Sequence, residues 1–377
     1  MIRRKVLKEY IDYRYFELPK KSLGCFGYAF KFGLNNDKLS TYEPQIYLCN
    51  KTTKFDKFLA GRILSSNYVI LKDEVVKNIY DDNFSGQDIK ELLECFEILQ
   101  NAFISVLIFP ERDVSVFGES GNISEKLTNI IKKTGFDIKY FTLINTYFSY
   151  PVWSDKFRKC SVSYKQKFSI PYKKYKKMTD EEFNAEINKY MPSSASVYTK
   201  KYPLGMLSGS RATGLDRIVY CCTNCDKLFN IFSEYSQLKC SACGSAIELA
   251  ETGEVLFSRN VKSLDEIKNY QLNMLANASF GNGAIFTYDE VYLCSVFYDN
   301  STKLVGDVKL EIFKNKFKIS KNGYEETFEY KDIKHAEFSF DNTLIIYLKN
   351  GKKTAICGKN NENLYVICDL IEIYNKK

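Results

Sequence analysis

The sequence predicts an α/β domain, then a small module built around four cysteines, and then a β-rich C-terminal domain. Three observations carry this prediction. Short apolar runs alternate with helical patterns over the first 165 residues. Two Cys-x-x-Cys pairs follow near residue 230, and alternating apolar residues with Asn-Gly turns follow beyond residue 300. With 377 residues, the chain is long enough for two or three separate cores.

The α/β prediction rests on the spacing of apolar residues in the first domain. Tyr68–Leu71 and Val106–Phe109 are apolar runs of strand length, whereas Asp88–Gln100 and Ser124–Lys133 repeat apolar residues at helical spacing. The longest apolar run, Ala102–Pro110, is about half the ~20 residues that a bilayer-spanning helix requires. It therefore predicts a buried strand, and the sequence predicts no transmembrane helix.

The charge balance is mildly basic. Lys and Arg number 54 against 46 Asp and Glu, which gives a net charge of +8. This excess is well short of a nucleic-acid-binding tail, but it suits the phosphates of anionic lipid or of a small ligand. The stretch Lys165–Lys177 concentrates the charge and predicts either a contact with an anionic membrane surface or a solvated face.

The start of the chain and the cysteines indicate a cytoplasmic protein. The first 16 residues include basic side chains but no apolar core of a secretory signal. The twelve cysteines are scattered apart from one cluster, as expected for free thiols and one metal site rather than for disulfides. We therefore expect a cytoplasmic location, with peripheral attachment at the inner face of the membrane.

The cysteine cluster predicts a zinc ribbon. Cys222 and Cys225 form one Cys-x-x-Cys pair, and Cys240 and Cys243 form a second pair after fourteen residues. Two such turns supply the four thiolates that Zn²⁺ binds tetrahedrally, without an open position for catalysis. Cys221 is the spare thiol. The surrounding window mixes acidic with basic residues, and this mixture argues against nucleic-acid binding.

The last part of the chain predicts antiparallel strands closed by a helix. Val308, Leu310 and Ile312 alternate with charged residues, and Asn322-Gly323 and Asn350-Gly351 are hairpin turns, because Asn-Gly accepts positive φ angles. A final helical pattern runs from 361 to 374. This arrangement resembles a pleckstrin-homology-like or GRAM-like domain.

Two motifs in the first domain carry a family resemblance. The first is Asn50-Lys51-Thr52-Thr53-Lys54-Phe55-Asp56, and the second is Phe109-Pro110-Glu111-Arg112-Asp113-Val114-Ser115. In order and spacing they resemble the Asn-His-x-Ser-x-x-Asp and Phe-Pro-Glu-Gly-x-Arg-Ser motifs of the lysophosphatidate (1-acylglycerol-3-phosphate) acyltransferase family. The whole layout is similar to a clostridial-type branch in which a zinc ribbon and a β-rich tail follow the acyltransferase domain.

The resemblance implies a site and its substrates. In that family the His takes a proton from the acceptor hydroxyl, the Asp orients the His, and the second motif holds the acceptor phosphate. The acyl group comes from acyl-CoA or acyl carrier protein, and the acceptor is a lysophospholipid. By position, Lys51 and Asp56 would be the catalytic pair, and the substrate-binding residues would be Asn50, Thr53, Glu111, Arg112 and Ser115.

This sequence departs from the family pattern at the residues that carry out the family's chemistry. Lys51 stands at the His position, Arg112 at the Gly position and Val114 at the phosphate-binding Arg position. The chain has a single histidine, His335, in its C-terminal part, where we interpret it as structural. Lysine has a reference pKa of ~10.4, so it is a poor base at neutral pH unless burial depresses its pKa. An ion pair with Asp56 would oppose that depression.

Three functions remain open. In the first, the chain would be a degenerate acyltransferase that binds lipid, acyl carrier or a partner enzyme without catalysis. In the second, it would be an active acyltransferase with altered acceptor chemistry that uses Lys51 or substrate-assisted proton transfer. The third is an interaction or nucleic-acid-binding protein that uses the ribbon and the tail.

A helix should begin at a capping box formed by Thr179 and Glu182, end before Pro192, and lead into a linker at Ser193, Ser194 and Ser196. The expected segments are the acyltransferase-like domain (1–165), the basic segment, helix and linker (166–215), the zinc ribbon (216–257), a connecting segment (258–300) and the β-rich domain (301–377).

Overall fold

The computed structural model describes residues 7, 9–12, 30–32, 43–53, 55–64, 67–155, 158, 160–191, 193–195, 209–296 and 302–375. These residues form two compact units. The first comprises 1–149 with 159–205, and the second comprises 150–158 with 206–377. Most of the N-terminal segment in which no secretory signal is expected lies outside the described residues, as do Lys54 and Ser196.

The first unit has short strands with helices between them. Its strands are β1 (Ile11–Asp12), β2 (Phe30–Phe32), β3 (Gln45–Cys49), β4 (Tyr68–Leu71), β5 (Ser105–Ile108), β6 (Glu119–Ser120), β7 (Asp137–Ile144), β8 (Cys160–Ile170) and β9 (Ser193–Ser194). Its helices are α1 (Asp56–Ile63), α2 (Asp73–Tyr80), α3 (Gly86–Asn101), α4 (Glu125–Lys133), α5 (Thr146–Ser149), α6 (Tyr172–Tyr175) and α7 (Asp180–Asn188).

Seven of these strands make one sheet in the order β1-β4-β5-β3-β7-β8-β2. The central strands β4, β5, β3 and β7 are parallel, whereas β1 runs antiparallel to β4 and β8 runs antiparallel to β7. At the far edge β2 pairs with β8 in parallel. Every residue of β3 and β5 is buried, as expected for parallel strands covered on both faces. The predicted α/β domain is therefore present, and the ends of its parallel strands create two edges, a carboxyl-terminal edge and an amino-terminal edge.

The helix prediction after the basic stretch is confirmed. Thr179 accepts a hydrogen bond from the backbone N–H of Glu182, and the Glu182 side chain accepts one from the backbone N–H of Thr179. Ser85 and Asp88 form a second capping box at the start of α3. The sequence predicts a linker at Ser193 and Ser194, whereas in the structure these two residues form strand β9 and pair with β6.

The apolar run that predicted one buried strand is divided in the structure. The strand β5 begins only at Ser105, and Phe103 lies outside it with 71% of its surface exposed. Its φ angle is +55°, because the chain leaves α3 through a left-handed residue at this position.

The second unit combines two antiparallel sheets. Its strands are β10 (Ile231–Glu234), β11 (Gln237–Cys240), β12 (Ala246–Leu249), β13 (Val255–Leu256), β14 (Phe286–Val296), β15 (Thr302–Ile312), β16 (Lys316–Lys321), β17 (Tyr324–Glu329), β18 (Ile333–Ser339), β19 (Thr343–Leu348) and β20 (Lys353–Cys357). Its α-helices are α8 (Leu264–Asn277) and α9 (Tyr365–Asn375). The larger sheet has the order β17-β16-β15-β14-β20-β19-β18.

The hairpins predicted from Asn-Gly pairs are confirmed. Asn322 and Gly323 have φ angles of +42° and +86° and join β16 to β17. Gly351, at +85°, lies in the turn that joins β19 to β20. Since β14 belongs to the same sheet, the β-rich domain begins at Phe286, inside the segment that was expected to be a connection.

The segment 150–158 belongs to the second unit, although the sequence predicts it within the first domain. The two terminal guanidinium nitrogens of Arg217 donate to the two carboxylate oxygens of Asp155, each at 2.6 Å. Gly214 has a φ angle of +86°, and a Cβ atom there would come within 2.5 Å of the Trp153 carbonyl oxygen. Similarly, β8 crosses the predicted boundary at residue 165.

Among the described residues, no helix combines the length and the hydrophobicity that a membrane span requires.

Replacing Thr179 with alanine tests the capping box. The change removes the side-chain acceptor for the Glu182 N–H, so the free energy of unfolding should fall by about 1 kcal/mol in urea denaturation. Thr179→Ser retains the hydroxyl and should remain close to wild type. Equal stability of wild type and Thr179→Ala would show that this cap does not stabilise the helix.

Candidate functional site

The first motif lies at the carboxyl-terminal edge of the sheet, directly after β3. The Asn50 side chain donates to the Leu143 carbonyl at 3.2 Å and accepts from the Leu143 N–H at 2.7 Å. These bonds add one more rung between β3 and β7 beyond the end of β3. Asn50 therefore fixes the position of the loop that follows, and both ends of its amide are used internally.

Asp56 holds the rest of this loop. Its carboxylate accepts from the backbone N–H groups of Thr52 and Thr53, the latter at 2.8 Å, and from both threonine hydroxyls, at 3.1 and 2.9 Å. The side chain is fully buried, which raises the pKa of Asp56 to about 6 even though these hydrogen bonds lower it. Both oxygens are thus occupied by the loop itself.

Lys51 is directed toward a different carboxylate. Its ammonium lies 3.3 Å from Asp73 at the start of α2, and Lys57 lies 3.1 Å from the same oxygen. Burial alone would raise the pKa of Asp73, but the two ammonium groups leave it below its ordinary value. The Lys51 side chain is only 10% exposed. The structure therefore pairs Lys51 with Asp73, whereas the sequence suggested a pairing with Asp56.

Glu111, from the second motif, faces the same group of charges. Both of its carboxylate oxygens are inaccessible to solvent and have no hydrogen-bond partner. Burial raises the pKa of Glu111 to about 8, although nearby backbone N–H groups and the charge of Lys51 lower it. Near neutral pH, Glu111 is therefore largely protonated beside an ammonium.

Arg112 is engaged on both sides of its guanidinium group. It makes two hydrogen bonds to Asp81, at 2.9 and 3.0 Å, and a third to Asp113 at 2.6 Å. This bidentate geometry satisfies the cation, and the Arg112 pKa is raised by its two partners even though burial lowers it. Ser115 follows as a half-buried residue. Three of the five N–H donors of Arg112 are thus bound by carboxylates.

A narrow cleft opens beside the first motif. Its lining residues are uncharged, and they are Asn50, Thr52, Gly118, Ser120, Leu143, Asn145, Thr146, Tyr147 and Ala195. Thr52 and Thr146 form a hydrogen bond at 2.8 Å on one wall of the cleft. The described part of this wall offers hydroxyl and amide groups but no cation for a phosphate dianion.

The predicted residues thus converge only in part. Asn50, Lys51, Thr53, Asp56 and Glu111 meet at the ends of β3 and β5. Sequence reasoning did not identify Asp73, although an acid that directly follows a buried parallel strand is the signal that could have found it. His335 lies on β18 opposite Tyr347 in the second unit.

The second candidate site is the cysteine cluster. The sulfur atoms of Cys222 and Cys243 lie 3.8 Å apart, as do those of Cys225 and Cys240, and all four lie within 4.8 Å of one another. A tetrahedral zinc ion with Zn–S bonds of ~2.3 Å requires sulfur separations of about 3.8 Å. The four thiolates can therefore hold a zinc ion, and they fill its coordination shell.

The local backbone explains this convergence. The N–H of Asp226 donates to the Cys222 carbonyl and the N–H of Gly244 donates to the Cys240 carbonyl, both at 2.9 Å, so each pair lies in a tight turn. Gly244 has a φ angle of +72°, which glycine adopts without strain. The Cys221 sulfur is outside the cluster and is directed toward backbone carbonyls.

Metal analysis of the purified protein tests this site. We expect about one zinc ion per chain, because four thiolates complete one tetrahedral shell. Cys240→Ser should remove most of the zinc and lower the melting temperature of the second unit. Cys221→Ser is the matched control and should keep the metal. Zinc content that is unchanged in Cys240→Ser would exclude the cluster as the ligand set.

The pKa of Glu111 predicts a pH dependence of stability. In the unfolded chain this group ionises near its ordinary value, whereas in the folded chain it stays protonated to about pH 8. Between these two pKa values the folded state binds one more proton at Glu111 than the unfolded chain does. The free energy of unfolding should therefore fall as the pH rises through this range. Asp56 adds a slope of the same sign below about pH 6.

Glu111→Gln should flatten the decline of stability between pH 6 and pH 8 in urea titrations, because glutamine carries no titrating proton. Glu97→Gln, on an exposed part of α3, is the control and should keep the wild-type slope. A Glu111→Gln variant with the full slope would contradict the burial of this carboxyl.

Comparisons with known proteins give weak likenesses. No protein family and no curated protein matches the sequence. Among solved structures, the 1-acyl-sn-glycerophosphate (LPA) acyltransferase PlsC from Thermotoga maritima is 19% identical to this chain, with a TM-score of 0.34. The matched region covers 50% of this chain and 78% of the PlsC chain. Inner Membrane Complex Sub-compartment Protein 3 from Toxoplasma gondii is 16% identical, covers 28% of this chain and 83% of its own, and has a TM-score of 0.20.

Proposed function

We propose that this chain is a glycerolipid-acyltransferase-like protein that binds lipid or a partner protein and does not transfer acyl groups. The proposal combines the motif resemblance with the geometry of the residues that stand at the motif positions. Its first unit keeps the α/β sheet and the loop after β3, and it replaces the groups that the chemistry requires.

The ion pair between Lys51 and Asp73 carries this proposal. Acyl transfer to a hydroxyl needs an unprotonated base in reach of that hydroxyl at neutral pH. The ammonium of Lys51 lies 3.3 Å from Asp73, and a close carboxylate favours the charged form of lysine. A charged ammonium has no lone pair to accept a proton. Asp56 does not replace it, because both of its oxygens are bound by Thr52 and Thr53.

The surroundings also fail to supply a phosphate site of the family's kind. Val114 is aliphatic at the family's arginine position, and the Arg112 guanidinium is bound by Asp81 and Asp113. The cleft beside the loop is lined by uncharged groups. Its lining therefore does not match the phosphate of lysophosphatidate.

For the second unit we propose a pleckstrin-homology-like or GRAM-like arrangement. The support is its sheet of seven antiparallel strands in which β14 pairs with both β15 and β20, together with the helix α9 at the end. The ribbon is proposed to have a structural zinc. We further propose a cytoplasmic protein, and nucleic-acid binding is the less favoured alternative for the ribbon.

The alternative of an active enzyme makes a different prediction for Lys51. If Lys51 were the base, Lys51→Arg would abolish turnover while keeping the charge that pairs with Asp73. Under the non-catalytic proposal, neither protein has turnover.

An acyl-transfer assay separates the two. The purified full chain is incubated with lysophosphatidate and either acyl-CoA or acyl carrier protein loaded with an acyl group, and phosphatidate is measured against a buffer blank. We expect product at the level of the blank for wild type and for Lys51→Arg, because neither side chain accepts a proton at neutral pH. Wild-type turnover that disappears in Lys51→Arg would overturn the proposal and establish the lysine base.

A further inference from the structure

The amino-terminal edge of the first sheet carries a basic and aromatic surface, here called the basic edge. It consists of Phe103, Tyr172, Lys173, Lys174, Lys176 and Lys177. Phe103 comes shortly before β5, whereas the others follow the end of β8, which pairs antiparallel with β7. The motif residues lie at the opposite edge. The basic edge is therefore separate from the cleft and from the proposed loss of catalysis.

Phe103 is held outward at some conformational cost. Its N–H donates to the Gln100 carbonyl at 3.0 Å, and the N–H of Ile104 donates to the Leu99 carbonyl at 2.9 Å, which together end α3. Glycine or asparagine is the usual residue at such a left-handed position, and a bulky aromatic residue is unusual there. The backbone thus places an apolar ring in solvent, with 71% of its surface exposed.

The turn α6 is anchored to the neighbouring loop. The Tyr172 N–H donates to Asp137 at 2.7 Å, and the Tyr175 hydroxyl donates to the Phe136 carbonyl at 2.5 Å. The Gln100 amide reaches the Gly135 carbonyl at 3.5 Å, and the Tyr172 ring lies beside Gly135. The end of α3 and the turn α6 therefore contact the same loop, which makes the basic edge one surface.

The six residues of the basic edge include four lysines and no acid, and the acids nearest in sequence, Asp180, Glu181 and Glu182, lie at the start of α7. All four lysines are exposed, and the Lys176 ammonium lies 5.8 Å from the centre of the Tyr172 ring. Two nearby acids are already engaged, since Asp137 accepts from the Tyr172 N–H and Asp180 pairs with Lys132 at 2.5 Å. The basic edge thus combines positive charge with one protruding apolar ring.

We propose that the basic edge docks on an anionic lipid bilayer. The lysines would contact lipid headgroups and the Phe103 ring would enter the interface, where an apolar group gains by leaving water. An isolated ring on a turn suits insertion into a bilayer better than it suits nucleic acid, which uses successive stacking platforms along a groove. This inference rests on the proposed function and deepens it by naming the lipid surface.

Vesicle binding by the full chain tests the inference. Sedimentation is measured with phosphatidylcholine vesicles and with vesicles that contain about one third phosphatidylserine, at physiological salt. We expect binding only to the anionic vesicles. Changing Lys173, Lys174, Lys176 and Lys177 to Gln should weaken it more than 100-fold, at about fivefold for each lysine. The matched control changes four exposed lysines of the second unit, Lys314, Lys331, Lys349 and Lys352, to Gln and should retain binding.

The variant Phe103→Trp reports insertion directly. The one native tryptophan, Trp153, is fully buried, so new emission from position 103 should shift to the blue and be quenched by brominated lipid. Equal loss of binding in the lysine variant and its control, or no quenching at position 103, would overturn the docking surface. Binding to single-stranded RNA in place of vesicles would overturn it in favour of nucleic acid. Because acyl transfer is measured separately, a failure here leaves the non-catalytic proposal standing, and turnover would refute that proposal alone.

Discussion

The buried ammonium of Lys51 is the charge on which the carboxyl-terminal edge of the first sheet depends. It lies 3.3 Å from Asp73, and its charge lowers the pKa of the buried Glu111, whose carboxylate has no hydrogen-bond partner. A neutral imidazole at this position would leave Asp73 with Lys57 alone. The neighbours of Lys51 are therefore suited to a cation at this position.

The sequence predicted the elements of this edge better than their contacts. Local patterns identified β4, β5, α3 and α4 to within two residues, because buried runs and capping residues act within a few positions of the chain. The partner of Lys51 was not predictable in this way. Asp73 is 22 positions away and reaches Lys51 only because separate elements end at the same edge of the sheet. The outward turn at Phe103 was missed for a related reason, since hydrophobicity alone does not reveal a left-handed backbone.

The two edges of the parallel sheet have opposite chemistry. At the carboxyl-terminal edge, the side chains of Asn50, Asp56 and Arg112 form hydrogen bonds within the protein. At the amino-terminal edge, lysines and an aromatic ring are exposed. In an enzyme the first edge would present unsatisfied donors to a substrate. Here the exposed lysines and the exposed ring are on the other edge.

In the second unit, the cysteine cluster is joined to the C-terminal helix by a buried network. Asp369, on α9, accepts from the Tyr220 hydroxyl at 2.7 Å and from the Gln271 amide at 3.2 Å. Burial raises the pKa of Asp369 to about 7, although the hydrogen bonds from Tyr220 and Gln271, which favour the ionised carboxylate, lower it. Tyr220 is two residues before the ligand Cys222, and Gln271 lies on α8. A metal ion held by the four cysteines would therefore order the first cysteine pair together with the residues that contact α8 and α9. Through this network the cysteine cluster is connected to both helices of the second unit.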